Sequence, residues 1–238
     1  AVSSSAVSLI CVGTPGNAAG DPDYRALFHV CRQIGSALAK VRRRHLVVIR
    51  STCIPGTSKK AARVLESASR RKSGRGFGVC VNPEFLREGT AIADFAAPPY
   101  TVVGVSAAGD AAIMRRIYDG VDAEFIETDP AVAEMMKFAN NAFHAVKITF
   151  ANEVGAVCGS MGIDSHKVME LLCRDNKLNI SPAYLRPGFA FGGSCLPKDL
   201  RALTSAQASW LETDVKTLLK RYLRILKTKL STGKARSG

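Results

Sequence analysis

The fold is decided by the stretch Leu46-Val-Val-Ile-Arg50 and by the turn that follows it, Ser51-Thr-Cys-Ile-Pro-Gly56. An unbroken apolar run rich in β-branched residues is typical of a strand that is buried on both faces. A segment with helical spacing follows at about 57–71. Strand, Pro-Gly turn and helix in this order predict one unit of a parallel α/β sheet.

The same unit recurs on both sides of this stretch. Further strand-like runs lie at 7–15, 77–81, 100–105 and 124–126, and further helical spacing lies at 23–44 and about 109–119. This alternation predicts an α/β fold over residues 1–128, a partial Rossmann-like domain with a doubly wound parallel sheet. The chain contains no Gly-x-Gly-x-x-Gly turn, so the first phosphate-binding turn of such a domain is missing.

The pattern changes at Asp129-Pro130, where an N-cap residue and a first-turn proline open a long helix to about residue 159. A second helix is predicted at 164–174. We therefore expect an all-helical central domain over residues 129–204 and a basic, divergent tail over residues 205–238.

Composition limits the classes of function. The chain has 238 residues, 47% of them apolar and 22% charged, which indicates a globular protein. It has no apolar run that could span a bilayer and no signal-peptide pattern, so we expect a cytoplasmic protein without a membrane partner. Because it lacks an initiator Met, we also expect the sequence to begin inside a longer protein.

The net charge of +13 is concentrated in two segments. Residues 59–75 hold seven Lys or Arg against one Glu, and residues 211–238 hold eight against one Asp and one Glu. A basic nucleic-acid-binding module is one alternative that this charge allows. Neither segment interleaves aromatic residues as a base-stacking surface does, which favours a solvated helix face and a basic tail instead.

The cysteines are odd in number, seven in all, and form no Cys-x-x-Cys pair. This argues against a disulfide framework and against a metal site. Cys195 differs from the others because it follows two glycines and precedes Lys198 and Asp199. A nearby ammonium group lowers the pKa of a thiol, so this loop is a candidate reactive-cysteine site.

Other polar residues occur where ligands bind in such folds. Thr14, Thr52 and Glu88 follow three predicted strands, and ligands of doubly wound sheets bind beyond the carboxyl ends of the strands. The alternative is that they only form turns and helix caps.

The long helix carries a second group of polar residues. At 100° per residue, four of its polar side chains lie within about 80° of one another. They are Lys137, Asn141, His144 and Asn152. Amides combined with a cation and an imidazole suit a ligand better than a solvated face. The loop before Cys195 adds Tyr184, Arg186 and Phe189, with an Arg fork suited to phosphate or carboxylate.

These motifs together resemble the UDP-glucose/GDP-mannose 6-dehydrogenases over about Val7 to Leu203. The matching stretches are Ile10-Cys-Val-Gly-Thr-Pro15, Arg50-Ser-Thr-x-x-Pro-Gly-Thr57, Asn82-Pro-Glu-Phe-Leu-Arg-Glu88, Ala133-Glu-Met-x-Lys137, Thr149-Phe-Ala-Asn-Glu153 and Arg186-Pro-Gly-Phe-Ala-Phe-Gly-Gly-Ser-Cys-Leu-Pro-Lys-Asp199. Within the family, Leu178-Asn-Ile-Ser181 and the residues before Gly192 favour GDP-mannose over UDP-glucose as the substrate.

The resemblance implies two successive NAD-linked oxidations that convert a sugar C6 alcohol to a carboxylate, as in alginate biosynthesis. Cys195 would be the nucleophile, forming a thiohemiacetal and then a thioester. The catalytic roles would extend to Lys137, Asn141, Glu88 and Asp199, and the cofactor contacts to Thr14, Thr52 and Lys198. The substrate contacts would come from Glu88, Lys137, Asn141, His144, Asn152, Tyr184, Arg186, Phe189 and Cys195.

The resemblance also implies a homodimer or higher homo-oligomer built on the long helix. The chain departs from the family in having Ala183 where a second Tyr is common, and in lacking the N-terminal Gly-rich unit and the C-terminal nucleotide-binding domain. An inactive remnant that keeps only the dimerisation core is therefore an alternative. Another is a cysteine acyl-transfer enzyme that works without NAD.

Overall fold

A computed structural model of the protein describes residues 1–16, 21–87 and 89–181. It divides the chain into two compact units, Ala1–His144 and a second that begins at Ala145. After a short 3-10 turn at Val2–Ser4, the strands are β1 (Val7–Ile10), β2 (His45–Ile49), β3 (Phe77–Val81), β4 (Tyr100–Val105) and β5 (Glu124–Thr128). The helices are α1 (Arg25–Leu38), α2 (Thr57–Ser69), α3 (Ala91–Ala96), α4 (Ala108–Ile117), α5 (Pro130–Ser160) and α6 (Ser165–Arg174).

The predicted α/β fold with a following helical segment is confirmed, with differences at two helices. Helix α1 ends at Leu38 instead of continuing to about residue 44. The Arg71 guanidinium donates hydrogen bonds to the carbonyl oxygens of Leu38 at 3.3 Å and Val41 at 2.7 Å. These bonds hold the segment that follows the end of α1, where the chain turns into β2. The short helix α3 was not predicted.

The five strands form one sheet in the order β1-β2-β3-β4-β5. Strands β1, β2 and β3 pair in parallel, and so do β4 and β5, but β4 runs antiparallel to β3. The predicted sheet was parallel throughout, so this one pairing differs. Two neighbouring parallel strands need a connection that crosses back from the end of the first strand to the opposite edge of the sheet. The chain between β3 and β4 makes no such crossing, and β4 therefore runs in the opposite direction to β3.

The antiparallel pair is also offset. Its register joins only Cys80 to Val105 and Val81 to Gly104, so the last residues of the two strands meet. The four earlier residues of β4 therefore extend beyond the carboxyl end of β3, by roughly 13 Å at the usual rise per residue. Strand β5 follows β4 in full register from Tyr100–Glu124 to Gly104–Thr128. This offset places the start of α5 beside the carboxyl ends of β1–β3.

The core of the first unit lies on both faces of the sheet. Strand β2 is buried throughout, and its side chains alternate between the two faces. Val47 and Ile49 pack with the buried residues of α1 and α2, whereas Leu46 and Val48 pack with those of α4. This double burial explains why β2 is a continuous apolar run.

In the second unit, Asp164 caps helix α6 by accepting hydrogen bonds from the backbone N–H groups of His166 and Lys167. Large apolar side chains are exposed on both of its helices, among them Val146, Ile148, Phe150 and Leu171. Within the described part of the chain, none of the helices combines the length and the apolar character that a membrane crossing requires.

Candidate functional site

Two of the predicted ligand-binding residues meet at the carboxyl ends of β1 and β2. The Thr14 hydroxyl donates a hydrogen bond of 3.0 Å to the carbonyl oxygen of Thr52. One residue earlier, the Ser51 hydroxyl donates to the carbonyl oxygen of Val12 at 2.7 Å. These reciprocal bonds join the two loops, so Thr14 and Thr52 lie together at the edge beyond which doubly wound sheets bind their ligands.

The turn after Thr52 is fastened to α5 by a buried carboxylate. Both oxygens of Glu134, which is only 2% exposed, accept backbone hydrogen bonds of 2.6 Å, from Gly56 N–H and Ser58 N–H. Gly56 has a φ of 94°, which suits a residue without a side chain, and it is the N-cap of α2. The carboxylate thereby satisfies free donors of the first turn of α2 and interacts with the positive end of the helix.

One turn further along α5, Lys137 forms an ion pair with Glu84. Its ammonium Nζ lies 2.7 Å from Oε1 of Glu84, and Lys137 is only 8% exposed. The other oxygen of Glu84 accepts a hydrogen bond of 2.8 Å from Leu86 N–H. Burial alone would raise the pKa of Glu84, but these two hydrogen bonds and the charges of Lys137 and Arg50 outweigh it and lower the pKa. Glu84 is therefore a carboxylate at neutral pH.

The segment that carries Glu84 is held by the buried side chain of Asn82. Its Oδ1 accepts hydrogen bonds from Arg50 Nη1 at 2.7 Å and from the Tyr118 hydroxyl at 2.5 Å. Its Nδ2 donates to the carbonyl oxygen of Val102 at 2.9 Å. Asn82 thus joins the ends of β2 and β3 to the extending part of β4.

A cavity of about 330 Å³ opens beside this segment in the first unit. Its walls combine charged groups, aromatic rings and polar groups of α5, including Arg50, Glu84, Phe95, Tyr118, Asn140 and His144. Charged and polar side chains make up much of this lining, so the cavity suits a polar ligand better than an apolar one. Among the described residues, no group of His, Cys, Asp and Glu side chains is arranged to hold a metal ion.

The predicted site residues are only partly described. Thr14 and Thr52 are joined, Lys137 is buried against Glu84, and Asn141, His144 and Asn152 are exposed on α5. The others lie outside the described residues, and their predicted roles remain predictions. They are Glu88, Tyr184, Arg186, Phe189, Cys195, Lys198 and Asp199.

Four residues of this site were not predicted from the sequence: Glu84, which pairs with Lys137, Arg50 and Tyr118, which bond Asn82, and Glu134, which fastens α5 to α2. Two of them had a usable signal: Glu134 precedes Lys137 by three residues, so both face the same side of α5, and Glu84 lies in the motif that also holds Glu88. Arg50 and Tyr118 are 68 residues apart, and only the folded sheet brings them to Asn82.

Comparison with known proteins gives the same family in both parts of the chain. Residues 1–122 match the NAD binding domain of the UDP-glucose/GDP-mannose dehydrogenase family, and residues 131–223 match its central domain. The GDP-mannose 6-dehydrogenase of Pseudomonas putida is 51% identical over 212 residues, which are 88% of this chain and 48% of that protein. That of Azotobacter vinelandii is 48% identical over 211 residues, again 88% and 48%. The chain thus spans about half the length of the curated relatives it matches.

Comparison with solved structures indicates the same family. The GDP-mannose dehydrogenase of Pseudomonas aeruginosa, solved as a ternary complex, superposes with a TM-score of 0.86 at 48% identity, covering 87% of this chain and 48% of that one. The UDP-glucose dehydrogenase of Pyrobaculum islandicum superposes with a TM-score of 0.70 at 38% identity, covering 87% and 47%. The sequence motifs, the sheet and both domain matches lead to one conclusion: the chain belongs to the UDP-glucose/GDP-mannose dehydrogenase family.

Proposed function

We propose that the chain takes part in the NAD-dependent oxidation of a sugar nucleotide at C6, from alcohol to carboxylate, with GDP-mannose as the substrate. The observation that carries the proposal is the ion pair of the buried Lys137 with the partly buried Glu84, a cation and a carboxylate beside the carboxyl ends of the strands. The similarity to GDP-mannose 6-dehydrogenases favours the mannose substrate over UDP-glucose.

The residues present fit the nicotinamide end of NAD better than its phosphates. The joined edge of Thr14 and Thr52 offers hydroxyl and carbonyl oxygens. The first turn of α2, in contrast, already donates to Glu134 from Gly56 and Ser58, so this helix end is not free to receive a phosphate. When bound, NAD supplies the hydride acceptor for each oxidation.

In the proposed reaction, the C6 alcohol loses its hydroxyl proton and a hydride to become an aldehyde. Lys137 and Asn141 stabilise the negative charge on the sugar oxygen, which is present when the hydroxyl proton is removed and when the thiolate adds to the aldehyde. The thiolate of Cys195 attacks the aldehyde carbon, and the oxygen takes up a proton to complete a thiohemiacetal. Loss of the second hydride and of the hydroxyl proton leaves a thioester. Attack of water on the thioester then breaks the C–S bond, which releases the acid and the thiol.

A carboxylate must remove the proton from that water. Glu88 is the candidate that the family resemblance implies, and Asp199 is the candidate for ordering the water. Glu84 is a second candidate base, because its lowered pKa keeps it ionised beside Lys137. Lys198 is proposed to contact the cofactor, and His144, Asn152, Tyr184, Arg186 and Phe189 are proposed to contact the substrate.

Turnover with NAD tests this function. The chain is incubated with NAD and either GDP-mannose or UDP-glucose, and NADH is followed by absorbance. We expect two NADH per GDP-mannose and little from UDP-glucose. Cys195→Ser should stop after the first oxidation, and full turnover by this variant would exclude the thiohemiacetal role.

The helical part is proposed to form a homodimer or a higher homo-oligomer. The exposed apolar side chains of Val146, Ile148 and Phe150 on α5 support this, since such side chains gain most from burial against a second copy. Light scattering measures the mass directly. A dimer without any heat of NAD binding in calorimetry would favour the alternative, a chain that keeps only the dimerisation core.

A further inference from the structure

We propose that Arg50 is a positioning residue for Glu84, holding the segment that carries this carboxylate and maintaining a fixed positive charge behind it. The inference rests on the proposed function only in taking Glu84 as a candidate base. Arg50 follows β2 and lies outside the set of residues that the sequence motifs marked as catalytic.

Arg50 is held in a network of hydrogen bonds centred on Asn82. Arg50 Nη1 donates to Asn82 Oδ1 at 2.7 Å and to the Tyr118 hydroxyl at 2.8 Å. Tyr118 in turn donates to the same Oδ1. Because the other side of the amide donates to Val102 O, and the backbone N–H of Asn82 donates to Ile49 O at 2.9 Å, Asn82 has one possible orientation.

Asn82 is only 1% exposed, so its amide is shielded from water, whereas Arg50 and Tyr118 also line the cavity. Loss of the arginine would remove one of the two donors to the buried Oδ1 and leave only Tyr118, which weakens the hold on the amide. Glu84 follows Asn82 across Pro83, whose ring restricts the intervening backbone. A displacement of Asn82 is therefore passed to the Glu84 carboxylate, two residues away.

The orientation of the guanidinium itself is also constrained. Its central carbon lies 6.0 Å from the centre of the Phe95 ring, at the limit of a cation–π contact. A planar fork that bridges Asn82 and Tyr118 while facing an aromatic ring suits arginine, and the lysine ammonium lacks that planar shape.

Arg50 also contributes a positive charge near Glu84. The charged and titratable groups around Glu84 come from several elements: Lys137 and His144 from α5, Tyr118 after α4, Tyr100 from β4, Arg87 from its own segment and Asp94 from α3. Arg87 is paired with Asp94 at 2.6 Å, which offsets its charge. Within residues 1–16, 21–87 and 89–181, no ion pair between Arg50 and a carboxylate is seen, so its charge is available to Glu84.

This arrangement matters because Lys137 has two tasks in the proposed reaction. While its ammonium stabilises the oxygen of the substrate, it neutralises Glu84 less effectively. Burial would then favour protonation of Glu84, which would remove a base. The Arg50 guanidinium is always charged and is not needed to stabilise the substrate oxygen. It therefore keeps Glu84 ionised throughout the reaction. The charge of Arg50 already contributes to the lowered pKa of Glu84.

The test is a titration that needs no turnover. The full chain is labelled with ¹³C at the glutamate side-chain carboxyl, and the Glu84 signal is identified by its loss in Glu84→Gln. Its midpoint is compared in the wild type, Arg50→Gln and Arg50→Lys. We expect an upward shift in Arg50→Gln, and a smaller upward shift in Arg50→Lys, which keeps the charge but loses the fork.

Arg63→Gln is the matched control, since it removes the same charge from an exposed position on α2. It should leave the Glu84 midpoint unchanged. The same comparison in a Lys137→Met background isolates the effect of Arg50 from that of the direct partner. There we expect Arg50→Gln to raise the midpoint again.

A Glu84 midpoint that is unchanged in folded Arg50→Gln overturns the proposal. If Arg50→Gln does not fold, the test is made with Arg50→Lys. An unchanged Glu84 midpoint in folded Arg50→Lys would then overturn the proposal. In a chain that turns over, Arg50→Gln should also move the acid limb of the pH profile of kcat/KM upward. Absence of turnover in the wild type would count against the proposed function alone, because the titration would still test Arg50.

Discussion

Glu134 on α5 accepts a hydrogen bond of 2.6 Å from the backbone N–H of Ser58 in the first turn of α2. Its other oxygen accepts one from Gly56, so one buried carboxylate fixes the turn after Thr52 to the helix that carries Lys137. This pair of bonds connects the proposed cofactor edge to the proposed catalytic lysine.

The first prediction concerns this connection. In Glu134→Gln an amide N–H₂ must face one of two backbone N–H donors, and that donor is left without an acceptor. We expect a loss of about 1–3 kcal/mol in the free energy of unfolding, measured by urea denaturation. The exposed Glu124→Gln on β5 is the control and should change stability little. Equal stability of the two variants would contradict the role of Glu134.

A second prediction concerns the contact between α5 and the sheet. A Cβ placed on Gly104 would lie 2.7 Å from both Ala133 Cβ and Pro130 Cα, so helix and strand touch where a side chain is absent. Gly104→Ala should therefore cost about 1–3 kcal/mol in thermal or urea unfolding. Gly109→Ala on α4 has free space and should stabilise by up to about 1 kcal/mol. The two changes should have opposite signs.

The third prediction follows from a buried histidine. His45 is bonded to the Ser8 hydroxyl and to the carbonyl oxygen of Ser5, and burial lowers its pKa, with the charges of Arg43 and Arg71 acting in the same direction. The unfolded chain therefore takes up a proton at a higher pH than the folded chain does. The stability held by neutral His45 is present above the unfolded pKa, about 6.5, and is lost as the pH falls below it.

Urea unfolding between pH 7.5 and 5 tests this, as a loss of stability toward acid pH. His45→Gln should flatten that slope, whereas the exposed His29→Gln should retain it. A slope that is the same in wild type and His45→Gln would show that His45 does not titrate with folding.

The fourth prediction concerns the cysteines. Burial raises the pKa of Cys31 to about 11 and, with smaller effects of nearby Glu134 and Asp110, that of Cys53 and of Cys80 to about 12. Because the thiolate is the reactive form, these three should resist iodoacetamide at pH 8 until urea is added. The exposed Cys11 and Cys173 should be labelled in the native chain. Peptide mass spectrometry reads each site, and fast native labelling of Cys80 would contradict the burial argument.

Much of the fold could be predicted from local pattern. Strand β2 is buried on both faces, and that is why Leu46 to Ile49 form a continuous apolar run. The direction of β4 could not be predicted, because Tyr100 to Val105 have the same pattern in either orientation. That direction depends on where the connection from Asn82 runs, which is a tertiary property.

In the candidate site, too, some residues could be predicted from local sequence and others could not. Lys137 stands out in the sequence because it is a cation on a helix face with amides. Its partner Glu84 comes from a motif some fifty residues earlier, and the pairing depends on the offset of β4, which places α5 beside the end of β3. Although Arg50 and Asn82 each begin a matching motif, no local pattern indicates that they meet Tyr118, since three separate segments of the chain supply the network.

The bond between Thr14 and Thr52 has a consequence for what can be recognised at that edge. A hydroxyl has one proton, and Thr14 directs it to a carbonyl oxygen that can only accept. Toward anything that approaches from outside, Thr14 therefore presents lone pairs only. At this position, Thr14 therefore favours ligands that donate an N–H or O–H group, such as a carboxamide, and disfavours ligands that present anionic oxygens.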